Sequence, residues 1–174
     1  MRFQGTGGIA SVAAMAVLTM MATATAAAQA GTSAVLKIAD AQKMIPASVF
    51  YDGQQATTQL RNAGAIQLAD GHHVLAVLVD NGGYSTGVAA KYQAYFVTED
   101  PIRIGGQRLA AGVYGMGFVA GSKLVVTDVG AHDVLTVPSV KDTEIKRPMP
   151  LQFTANPGGG FRFYCGRQYV TLTQ

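Results

Sequence analysis

One cysteine, Cys165, stands in the whole chain, so no internal disulfide can form. Basic side chains number 13 and acidic ones 10, and no basic cluster exceeds Lys146-Arg147. That balance leaves no electrostatic footprint for nucleic acid. P-loop, dinucleotide fingerprint, C-x-x-C pair and EF-hand spacing are all missing, so no cofactor is expected. No repeat of fixed period occurs. The apolar run over residues 9–21 is interrupted by Ser, Thr and small alanines. It falls short of the ~20 strongly apolar residues a membrane-spanning helix needs.

What the amino terminus does contain is one arginine, Arg2, ahead of that apolar run, with Ala28-Gln29-Ala30 closing it. This is the pattern of a signal peptide with an A-x-A cleavage site. Cleavage is expected after Ala30, and no nearby cysteine or twin arginine points to a lipid anchor or another export route. The expected address is the periplasm or the exterior of a bacterial cell. Residues 31–174 then form a single domain without a transmembrane segment, long enough to bury a core without staples.

Turn residues punctuate residues 31–174 every eight to twelve positions, and the segments between are rich in Val, Ile, Thr, Tyr and Phe. That rhythm predicts an all-β fold: an antiparallel β-sandwich or partly closed barrel of about ten short strands. Asp52-Gly53 and Asp70-Gly71 carry hairpin chemistry, and Gly105-Gly106, Ala120-Gly121-Ser122 and 156–160 are further breaks. Residues 74–79 are apolar on both alternating faces, as in a central strand covered on both sides. The predicted cover is a short helix over 33–45, with Ser33 as its cap and Pro46 as its stop. Apolar parity changes between Phe163 and Val170, which asks for a bulge or turn at Gly166-Arg167. A small outer-membrane barrel is the competing architecture, but the strands do not alternate strictly and the chain ends TLTQ without a closing aromatic.

Four groups of residues bear on chemistry. Gly83-Tyr84-Ser85-Thr86-Gly87 fits G-x-S-x-G, which marks a nucleophilic serine where a strand turns into a helix, and Asp128 and His132 follow in the right order. Yet VAAKYQAYFVT after it has a period of two, which predicts strand and makes the motif a strand-to-strand loop. His72, His73 and His132, with Asp70, Asp128 and Asp133, are candidate metal ligands. Adjacent residues on a strand face opposite ways, so His72 and His73 could share an ion only if the strand were distorted. Within 113–119, Tyr114, Met116 and Phe118 share one face while Gly115 and Gly117 leave the other bare. Such a groove accepts packing, another backbone or a ligand. Cys165 shares a face with Phe161 and Phe163, as a small buried hydrophobe would.

The stretch IGGQRLAAGVY, residues 104–114, resembles the L-x-A-G-x-Y strand opening of small exported bacterial β-sandwich proteins of unknown function, and FRFYCGRQYV resembles their closing hairpin. The resemblance implies a fold class and an address, and brings no catalytic residue. Together these observations lead us to expect an exported, envelope-associated binding or interaction module without enzymatic activity. Its partner would be an envelope or extracellular molecule or a small ligand. The alternative is a small hydrolase using Ser85, His132 and Asp128 or a metal at the histidines. A structural envelope component, with an exposed apolar patch, is the third reading.

Overall fold

The structure, a computed structural model, describes Met1 and residues 31–174. Apart from Met1, the signal peptide expected over residues 1–30 lies outside the described residues. In chain order the elements are β1 (Ala34–Val35), α1 (Ile38–Met44), β2 (Ser48–Tyr51), β3 (Gln54–Gln67), β4 (His73–Val79), α2 (Thr86–Lys91), β5 (Ala94–Thr98), β6 (Ile102–Ile104) and β7 (Gln107–Leu109). There follow β8 (Gly112–Val119), β9 (Lys123–Thr127), β10 (Asp133–Pro138), β11 (Val140–Lys141), β12 (Gln152–Ala155), β13 (Phe161–Cys165) and β14 (Gln168–Thr173).

Two antiparallel sheets result. The larger has the order β1-β3-β4-β5-β8-β9-β10, with β2 on the first half of β3. The smaller runs β12-β13-β14-β6-β7, with β11 on β14. The fold is thus all-β and sandwich-like, as expected, and the sheets do not join into a closed barrel. The turn chemistry is where the sequence puts it: Asp52 and Gly53 both take positive φ, 47° and 71°, in the hairpin that pairs Tyr51 with Gln54. Gly166, at φ 60°, closes the turn that sets Cys165 opposite Gln168 and so resets the apolar parity.

The main core fills the space between the sheets. Val74, Ala76, Phe96, Met116 and Val126 from the larger sheet meet Ile104, Phe153, Phe163, Val170 and Leu172 from the smaller. Strand β4 is apolar on both sides because both sides are buried. Its outward residues Val77 and Val79 join two further clusters, one with Ile45 and Ala63, the other with Tyr51 and Tyr92.

Three pieces of chain cover that outer face. Helix α1 is one, though shorter than expected. It begins at Ile38 after Lys37, with no side-chain cap, because Ser33 and its successors first run alongside β3 as β1. The second is the β2–β3 hairpin. Between the pairs Thr58↔Val79 and Ala63↔Val77 strand β3 carries extra residues, a bulge of the kind that bends a strand. Beyond it the hairpin lies over β8 and β9, where the Tyr51 hydroxyl meets Thr127. The third is α2, which the period-of-two reading of VAAKYQAYFVT missed.

Gly117 marks where α2 approaches. A Cβ on Gly117 would sit 2.6 Å from the Ala90 carbonyl oxygen and 2.7 Å from that of Lys91. Gly117→Ala should therefore cost about 1–3 kcal/mol in urea unfolding, the usual range for overpacking. Gly87 lies in α2 with nothing within 4 Å of such a Cβ, so Gly87→Ala should gain about 0.5–1 kcal/mol. Equal midpoints for the two variants would contradict this packing.

Candidate functional site

Three loops meet over the outer face of the larger sheet. The Asp52 amide donates to the Val129 carbonyl at 2.7 Å, and the Tyr84 hydroxyl lies 3.1 Å from the Tyr51 carbonyl and 3.2 Å from that of Gln54. These contacts tie together the 52–53 turn, the 80–85 loop and the 128–132 turn. Within the last, Asp128 Oδ1 accepts from the amides of Gly130 at 2.9 Å and His132 at 3.0 Å. Both its carboxylate oxygens lie 3.2 Å from His132 Nδ1. The His132 and Gly130 amides hold the Asp128 pKa below the ordinary carboxylate range.

Ser85 stands on another of these loops, with a different task. Its Oγ accepts from the Val88 amide at 3.4 Å and caps α2. Asn81 closes the other end of that helix, donating to the carbonyls of Ala89 at 2.9 Å and Tyr92 at 2.8 Å. The G-x-S-x-G stretch thus does lead into a helix. The structure brings Asp128 and His132 together. No hydrogen bond joins Ser85 to either among the described residues.

The bare face of β8 is filled by the chain itself. The Tyr51 ring lies on Gly115, where a Cβ would come within 2.6 Å of Cε2, and the end of α2 lies on Gly117. Tyr51 stacks on Tyr92 with centroids 3.6 Å apart, and Tyr84 meets both edge-on. Thr127 donates to the Gly115 carbonyl at 3.2 Å, so its oxygen accepts from the Tyr51 hydroxyl at 2.5 Å. Tyr92 is fully buried and its hydroxyl has no hydrogen-bond partner among the described residues. Burial pushes the Tyr92 pKa well up.

The histidines separate. His72 Nδ1 lies 2.8 Å from Asp100 Oδ2 and 3.4 Å from Asp70 Oδ2, whereas His73 pairs with Glu99 at 3.2 Å. Asp70, His72 and Asp100 offer ligand atoms all within 4.8 Å of one another, so among the described residues they are the set placed to hold a metal. Neither His73 nor His132 joins it, and Asp133 pairs with Lys91 instead. Asp100 has no signal in the sequence: it comes opposite His72 because the β4–β5 ladder continues with the Glu99 amide bonded to the His73 carbonyl. The hydrogen bond to Asp100, then the charges of Asp100 and Asp70, raise the His72 pKa. Cys165 is half-buried, and desolvation raises its thiol pKa, which disfavours the reactive thiolate.

Sequence reading missed an opening at one end of the sandwich. Near the β3–β4 turn and the chain's last residues the sheets part around a cavity of about 430 Å³. Ile66, Leu68, Val74, Ile102, Phe161 and Leu172 line it, and Thr32, Ser33, Thr173 and Gln174 supply polar atoms. A smaller trough of about 230 Å³ lies beside α1 on the outer face, over Leu75, Val97 and Val113. Comparisons with protein-family models, with curated proteins and with solved structures give no match for the chain.

Two predictions follow from these side chains. In an NMR titration His72 should lose its proton above the ordinary value of about 6.5, and Asp100→Asn should bring it down. Because the folded-state pKa is the raised one, the stability His72 contributes is complete below its unfolded pKa and is lost as pH rises through the folded one. Tyr92→Phe removes a buried hydroxyl without a partner, so it should leave stability unchanged or raise it. A clear loss of stability in urea would show that this hydroxyl is bonded after all.

Proposed function

We propose that the chain is an exported binding module, without enzymatic activity, that takes a small apolar ligand into the open end of the sandwich. One observation carries the reading: the cavity of about 430 Å³ with an apolar lining and a few polar atoms. Ligand sites have this character, concave and mostly apolar, with volumes of roughly 300–1,000 Å³. At ~30 Å³ per water-sized unit, the space suits a ligand of roughly ten to twenty heavy atoms. Delivery across the inner membrane by the expected signal peptide would place it in the periplasm or outside the cell.

The Asp128–His132 pair supports the second reading, a small serine- or metal-dependent hydrolase. A carboxylate on Nδ1 orients an imidazole as a general base needs. Ester hydrolysis abolished by both Ser85→Ala and His132→Ala would favour it over the binding reading.

For the binding reading, the purified protein should bind N-phenyl-1-naphthylamine saturably, with a rise in probe fluorescence. Ser33→Trp, which fills the mouth from its half-buried rim, should weaken binding by about tenfold, a difference of ~1.4 kcal/mol, with the circular dichroism unchanged. No saturable binding, or equal binding by the folded variant, would contradict the proposal.

A further inference from the structure

We infer that the ligand of this cavity carries a cationic head, so that an amine with an apolar body is the class it takes. The inference rests on the reading that the cavity is a ligand site.

The lining itself carries no charged side chain. Two residues beyond the lining residue Leu68 stands Asp70, and two residues before the lining residue Ile102 stands Asp100, with Glu99 next to it. The hydrogen bonds of His72 hold Asp70 and Asp100 together. Two imidazoles oppose these carboxylates, His72 between Asp70 and Asp100 and His73 on Glu99. With the imidazoles neutral, three carboxylates outnumber the one ammonium that cleavage after Ala30 would leave at Gly31, whose nitrogen lies 2.9 Å from the Ala69 carbonyl oxygen, so this flank is net negative.

The two arginines next to lining residues are engaged elsewhere. Arg103 donates to the Gly106 carbonyl at 3.0 Å, in the β6–β7 turn. Arg162 donates to Asn156 Oδ1 at 2.9 Å, and its guanidinium lies over the Tyr169 ring, 4.6 Å from the centroid. A carboxylate head would meet repulsion from the acidic flank with neither guanidinium turned to it, whereas an ammonium head would meet attraction. Charge complementarity of this kind selects among ligands of equal apolar area.

The test compares decylamine, decanol and decanoate, all below their aggregation limits, by displacement of N-phenyl-1-naphthylamine. Decylamine should bind about tenfold tighter than decanoate at low salt, with decanol between them, and the gap should shrink as salt screens it. In the double variant Asp70→Asn, Asp100→Asn the gap should fall to roughly two- to threefold with decanol affinity unchanged. Asp133→Asn, at the Lys91 pair on β10, should leave the gap intact and serves as the control for a change in net charge alone. Decanoate binding as tightly as decylamine, or a gap that survives in the double variant, would overturn the inference while leaving the cavity reading standing. If decanol and the probe both fail to bind, the cavity reading itself falls, and this inference with it.

Discussion

Strand β8 can be covered closely only because Gly115 and Gly117 present hydrogen where other residues present a carbon. Every piece of chain that seals the outer face over β8 and β9 depends on that clearance. The Tyr51 ring settles on Gly115 and the last carbonyls of α2 settle on Gly117. Once there, Tyr51 reaches the buried Thr127, which bonds in turn to the Gly115 carbonyl. Tyr92, at the end of α2, stacks on the same ring. A backbone contact, a hydroxyl relay and an aromatic stack thus follow from one absent side-chain position repeated two residues later.

That close cover explains how an antiparallel sheet can be apolar on both faces without exposing one to water. Val77 and Val79 are as buried as Val74 and Ala76, although they face away from the smaller sheet. The glycine face, which reads as a groove in the sequence, is therefore closed. A cavity stays open instead at the end of the sandwich, between Ile66, Leu68 and Val74 of the larger sheet's side and Ile102, Phe161 and Leu172 of the smaller. Function is accordingly sought at the mouth of the core rather than on the faces of the sheets.

Legibility in the sequence followed the range of the interactions. The two-residue turns at Asp52-Gly53 and Gly166-Arg167 and the double-sided burial of 74–79 are local properties, and they are present as read. Helix α2 was not legible. Its residues TGVAAK carry no strong apolar period, and it is held by a serine cap, by Asn81 reaching across eight and eleven residues, and by Gly117 far along the chain. The start of α1 was misplaced because Ala34 and Val35 answer to a strand partner more than thirty residues away. The same limit hid the site: Asp100 beside His72, and the cavity itself, exist only once strand register and the spacing of two sheets are fixed.

The central claim is that the chain itself closes the glycine face of β8 and that a cavity stays open at the end of the sandwich. Xenon enters dry apolar cavities that hold no water, so methyl NMR under xenon pressure tests the claim directly. The account predicts xenon-dependent shifts at the methyl groups of Ile66, Leu68, Ile102 and Leu172, and none at Val49, Val79 and Val88 around the tyrosine stack. Shifts confined to the tyrosine cluster, or none at the cavity methyls, would contradict it.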